Sequence, residues 1–231
     1  MHQGNPLDRE TSMRTLYSSK RIMGMALALL AGGLANTVEA QPTGAGGLVA
    51  HYVARIYIDP GTGHAQCVGY FTNIAGITAP VFNGTPGEGT AYFTFRSDVF
   101  QLSPLPANGD LQPDLFCAGN YAIYFNRHPI GDWSDPDTFS SGQPIATFKR
   151  PESFVSLLPQ TFHSVIREEL VSTQAFRFGG HNYDFSIIAP GGLTLMDVGS
   201  MDVGTTQLPA INGFSLVLPY AGSATAVGAN Y

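Results

Sequence analysis

Beyond residue 47, apolar and polar residues alternate with a period of two, in short runs separated by Gly, Pro, Asn and Asp. A period of two puts every second side chain on one face of an extended strand, whereas a helix repeats every 3.6 residues. The clearest run is 48–58. Leu48, Ala50, Tyr52, Ala54, Ile56 and Ile58 share one face, and His51, Val53, Arg55 and Tyr57 share the other. Asp59-Pro60-Gly61-Thr62-Gly63 follows as a turn, because Pro presets φ and Gly tolerates positive φ. The chain then returns over 64–74, which predicts a hairpin.

Further strands are predicted over 90–102, 116–126, 144–150, 162–173, 175–178, 181–188 and 211–218. Gly179-Gly180 is a two-residue hairpin signal. Segments 75–89 and 103–115 read as connections, and 127–143 as the most polar loop. One short helix is predicted over 152–158, stopped by Pro159. The tandem Met196-Asp-Val-Gly-Ser200 and Met201-Asp-Val-Gly-Thr205 reads as irregular loop, since two short copies do not make a solenoid. Eight or nine strands at this spacing predict an all-β domain. The expected architecture is an antiparallel β-barrel of about eight strands, with a two-sheet β-sandwich as the alternative.

Ahead of the strands, Lys20-Arg21, the apolar run 22–35 and Val38-Glu39-Ala40 carry the three parts of a secretion signal: basic lead, apolar core and small residues at the cleavage site. The expected organisation is therefore a signal peptide over 1–40, a flexible segment over 41–47, one β domain over 48–220 and a mobile tail over 221–231. The leader is too short and glycine-broken to span a bilayer, which takes about 20 apolar residues. No stable membrane insertion is expected after cleavage, and the expected location is secreted or periplasmic. An outer-membrane barrel is disfavoured, because residues 221–231 are mostly small and lack a lipid-facing apolar band.

Cleavage also changes the charge. Of the 11 Lys and Arg, four precede the cut and 7 remain; of the 17 Asp and Glu, three precede it and 14 remain, for a balance of −7. Lys149 is the only lysine left. Without a basic stripe, nucleic acid is not an expected partner. Cys67 and Cys117 both lie in the exported part, where an even count predicts a disulfide between them.

No Gly-x-Ser-x-Gly, phosphate-binding loop or His-Glu-x-x-His signature is present, and the histidines are dispersed. No cofactor is predicted. Asp132, Asp135 and Asp137 form the densest acidic cluster, a candidate calcium site whose spacing departs from the calcium-loop pattern; Asp and Pro also simply make turns. Gly131-x-Trp133 is similar to the Gly-x-Trp of lipocalins, but lies in a mid-chain loop rather than on the first strand, and nothing is carried over from that family. The third candidate is distributed. Over 162–173, His163, Arg167 and Glu169 share a face with Val165 and Val171, opposite Ser164, Ile166, Glu168, Leu170 and Ser172. Directed into a barrel, His163, Arg167 and Glu169 would meet Arg55 and Arg96 as a ligand-binding set; directed outward, they are a solvated face.

The leading functional reading is an exported β-barrel that binds a small apolar ligand or a surface partner without catalysis. The alternative is a cavity-based barrel enzyme of isomerase or cyclase type, which works through polar residues inside the barrel and leaves no linear motif. Oligomeric state is left open.

Overall fold

The computed structural model describes residues 43–116, 118–151, 153–201 and 213–228, which all belong to one unit spanning 39–231. The signal peptide expected over 1–40 lies outside the described residues.

The strands are β1 (Leu48–Asp59), β2 (His64–Ile74), β3 (Phe93–Ser97), β4 (Phe100–Pro104), β5 (Gln112–Phe116), β6 (Gly119–Phe125), β7 (Gln143–Arg150), β8 (Ser153–Leu157), β9 (Thr161–Thr173), β10 (Phe176–Phe178), β11 (His181–Tyr183), β12 (Leu193–Ser200) and β13 (Leu216–Ala226). A one-turn helix, α1 (Phe185–Ile188), follows β11. With β3–β4, β5–β6 and β7–β8 each counted as one wall, every wall pairs antiparallel with the next wall along the chain, and β13 closes onto β1 from Leu48 to Ile58. The result is a closed eight-stranded up-and-down barrel, as the alternation predicted, and not a sandwich. Closure leaves the barrel no free edge.

Three adjacent walls of the barrel are each built from two strands in succession: β3 then β4, β5 then β6, and β7 then β8. β3, β6 and β7 fill the gap between β2 and β9 at one end of the barrel, and β4, β5 and β8 fill it at the other. The sequence predicted single runs over 90–102 and 116–126 and a connection over 103–115. The structure instead breaks the first of these walls at 98–99, ends β5 at Phe116 before β6 starts at Gly119, ends β7 at Arg150 before β8 starts at Ser153, and makes 112–116 strand β5.

The helix expected over 152–158 is strand β8, whose Val155 is buried and Phe154 exposed in the alternation of a sheet. The first Met-Asp-Val-Gly-Ser copy is strand β12, paired on both sides, rather than loop. Within the predicted strand 181–188, only His181–Tyr183 is extended, because Asp184 accepts a hydrogen bond from the Ser186 backbone N–H and caps α1. The expected mobile tail is also corrected: Ala221–Ala226 belongs to β13, and Ala224 and Ala226 are buried in the interior. The hairpin at Gly179-Gly180 is present, with φ of 55° and 87° at the two glycines, the positive pair that a tight two-residue turn requires.

One end of the barrel is plugged. Phe176, Tyr183, Phe185 and Ile188 from β10, β11 and α1 are buried there, with Phe176 against Phe93 and Phe125. A smaller apolar cluster lies outside the barrel, where the β6–β7 connection folds over Tyr57, Val68 and Val217 and covers them with Phe139 and Trp133.

Because residues 221–226 complete the closing strand, deleting 221–231 is expected to abolish cooperative folding or to lower stability by several kcal/mol, a large share of a typical 5–15 kcal/mol. Thermal unfolding followed by circular dichroism checks this; an unchanged transition would restore the mobile-tail reading.

Candidate functional site

The interior is polar in the middle. Tyr52 on β1, Gly222 on β13, Asp197 on β12 and Ser164 on β9 are register partners across four neighbouring strands. Asp197 accepts hydrogen bonds from the Tyr52 hydroxyl through one oxygen and from the Ser164 hydroxyl, at 2.7 Å, through the other. Gly222 makes this row feasible, because a Cβ there would collide with the Asp197 carboxylate and the Tyr52 ring. Burial raises the Asp197 pKa, and the Tyr52, Ser164 and Arg150 interactions oppose it, leaving it at about 6.

Along β9 from Ser164, Glu168 also points inward and is 1% exposed. β7 and β9 pair through Lys149 and Glu169, so Arg150 and Glu168 are the next residues on these strands, side by side and both buried. They do not form an ion pair within 4 Å: Arg150 Nε and Nη2 and both Glu168 carboxyl oxygens have no hydrogen-bond partner. Arg150 instead rests on aromatic rings, its guanidinium carbon 4.1 Å from the centroid of Phe100 and 5.9 Å from that of Phe116. Burial raises the Glu168 pKa to about 8; Arg150 pulls it down and Asp197 pushes it up. At neutral pH Glu168 is therefore mostly a carboxylic acid and Asp197 mostly a carboxylate.

Cys67, Tyr121 and Tyr220 line the same chamber. Burial raises the Cys67 thiol to about 11 and pushes both phenols well above their ordinary range, so none of the three is ionised at neutral pH. The expected Cys67–Cys117 disulfide involves a residue outside the described ones. Cys67 is a free thiol buried in the barrel wall beside the Tyr220 hydroxyl, and Cys117 lies outside the described residues.

The chamber has room for about 20 Å³, enough for one water or a few atoms of a ligand head group. Beyond Ile56, Phe116 and Phe162, which line both spaces, lies an apolar pocket of about 230 Å³ at the unplugged end of the barrel. Its wall includes Ile58, Leu102, Val155 and Leu218, together with Asp114. Asp114 is buried with Oδ1 unpartnered, and burial raises its pKa.

The residues singled out in the sequence lie elsewhere. His163, Arg167 and Glu169 are exposed on the outer face of β9, with a 3.7 Å ion pair between the last two. Arg55 stacks 4.5 Å from the Trp133 ring centroid outside the barrel, and Arg96 pairs with Asp137 at 2.7 Å. The structure brings none of these five into the cavity, because the opposite faces of β9, β1 and β3 point inward. The three aspartates of the calcium candidate are engaged within and beside their own loop. Asp132 accepts from the Ser134 N–H and hydroxyl, Asp135 caps the short turn at Pro136, and Asp137 is held by Arg96. Among the described residues, no group of three acidic, His or Cys side chains could hold a metal ion.

The residues that do converge were missed, and one sequence signal could have found them. Glu168 stands alone among Ser164, Ile166 and Leu170 on the least charged face of β9. A single acid on an otherwise inward-looking face is more informative than a row of charges. No family model matches this chain, and no curated protein or solved structure matches it either.

A carboxyl whose pKa is higher in the folded state stabilises the fold fully below its unfolded pKa and loses that contribution as pH rises through the folded value. For Asp197 the loss runs from 3.8 to about 6, and for Glu168 from 4.5 to about 8. Between pH 6 and 8 only Glu168 still contributes, and wild-type stability is expected to fall by roughly 2–3 kcal/mol. In Glu168→Gln that decline should vanish. Urea unfolding at pH 6, 7 and 8 checks it, and parallel declines in both proteins would contradict the assignment.

Proposed function

We propose that the protein is a cavity-based enzyme of isomerase or cyclase type, which holds a small, largely apolar substrate in the end pocket and moves protons with Asp197 and Glu168. One observation carries this reading: two carboxyls buried in one chamber at the floor of an apolar pocket have environments that split their acidities around neutral pH. Such a split assigns a base and an acid. A binding site that only shelters an apolar ligand gains nothing from burying two carboxyls and an arginine, each of which opposes burial.

The simplest cycle is a double-bond shift. Asp197 takes a proton from a carbon next to the double bond, while Glu168 delivers its proton to the far carbon of the same unsaturated system. The substrate leaves with its atoms and charge unchanged. Asp197 then carries the proton and Glu168 the charge, and return of the proton to Glu168 is downhill because Glu168 is the weaker acid of the two. The tyrosine hydroxyls stay protonated throughout and serve as donors. The leader sequence over 20–40 supports export of the barrel to a secreted or periplasmic setting.

The test is proton exchange. Unsaturated ketones and acids of six to ten carbons are incubated with the protein in D2O and followed by proton NMR. Wild type is expected to incorporate deuterium at the carbon next to the double bond, and Asp197→Asn to slow this by about 100-fold or more. Compounds that raise the melting temperature yet never exchange would make the barrel a non-catalytic binder.

A further inference from the structure

Arg150 carries an unanswered donor pair. Nε and Nη2 lie on the same edge of the guanidinium plane, and both are buried without a hydrogen-bond partner. That edge is the two-pronged fork that a carboxylate matches with two parallel hydrogen bonds. The residue is 3% exposed, its ring contacts with Phe100 and Phe116 hold the flat group from its face, and it lines the inner chamber. The neighbouring carboxyls do not close the fork: Asp197 is engaged by Tyr52 and Ser164, and Glu168 stands beside Arg150 with both oxygens unpartnered. An arginine and an acid side by side in a dry interior, with neither satisfied, call for a polar partner that the chain itself does not supply.

The space fits a small planar head on an apolar body. The inner chamber of about 20 Å³ accepts only a few atoms. The outer pocket of about 230 Å³ is more than ten times larger, and its walls are almost wholly apolar.

We propose that the Arg150 fork is the receptor for a carboxylate, so that the cavity takes small monocarboxylic acids with an apolar tail. The acid lies bidentate on Nε and Nη2, and the tail runs past Phe116 and Phe162 into the pocket. This names the substrate class of the function proposed above and rests on that reading of the cavity.

Calorimetric titration of the full chain at neutral pH with octanoate and trans-cinnamate, and with octanol and cinnamyl alcohol as uncharged partners, tests it. The acids are expected to bind at least ten-fold more tightly than the matching alcohols. In Arg150→Gln that preference should disappear while octanol binding is retained, which shows that the pocket is still folded. Arg150→Lys keeps the charge without the fork and should recover only a small part of the preference. Acids and alcohols binding equally to wild type would overturn the carboxylate receptor and leave the cavity reading standing. An acid preference that survives in Arg150→Gln would overturn the role of Arg150. No binding by either class would overturn both this assignment and the apolar pocket as a substrate site.

Discussion

The structure turns on one buried carboxylate and the two hydroxyls that hold it. Asp197 is fixed by Tyr52 and Ser164, in a row that crosses β1, β13, β12 and β9. That row spans the seam where the last strand meets the first, so barrel closure and the placement of the acid are one event. Burying an ionised carboxylate is expensive unless its oxygens are answered. Here both are, and Arg150 adds a favourable charge. Gly222 sits in the middle of the row because any side chain would occupy the place where the Tyr52 hydroxyl reaches Asp197.

Once Asp197 is satisfied, Arg150 and Glu168 are left unanswered next to it. Arg150 ends β7, where three adjacent walls of the barrel break, and its guanidinium lies on the Phe100 and Phe116 rings contributed by strands on the far side of that break. The breaks therefore separate a plugged, aromatic half of the barrel from a half that keeps an apolar pocket. The polar chamber lies between them. Sequence, wall geometry and electrostatics meet at that level: large rings close one end, aliphatic walls hold the other, and the titratable groups occupy the middle.

Much of the fold was legible in the chain because period-two alternation and turn chemistry are local signals. β1, β2, β7 and β9 stand where the pattern placed them, and the Asp59–Gly63 and Gly179-Gly180 turns follow from φ preferences alone. What escaped was decided by distant partners. The second half of β13 reads as a tail because its inward residues Gly222, Ala224 and Ala226 are small, and Gly222 is small because the neighbouring Tyr52 ring and Asp197 carboxylate occupy its side-chain space. β8 reads as a helix start because five residues do not establish a period. The site was hidden by a choice of face. Glu168 and Glu169 are adjacent, one inside and one outside, and only burial of Ile166 and Ser164 identifies which. Arg150 is the last residue of the strand predicted over 144–150, and Asp197 lies in the Met-Asp-Val-Gly repeat that reads as loop.

The central claim is that two carboxyls in the barrel interior hold different protonation states at neutral pH. Carbon-13 NMR titration of protein labelled at the Asp and Glu carboxyl carbons tests it most directly. The account predicts one resonance titrating near 6 that is absent from Asp197→Asn, and one near 8 that is absent from Glu168→Gln. Every carboxyl titrating below pH 5 would contradict it.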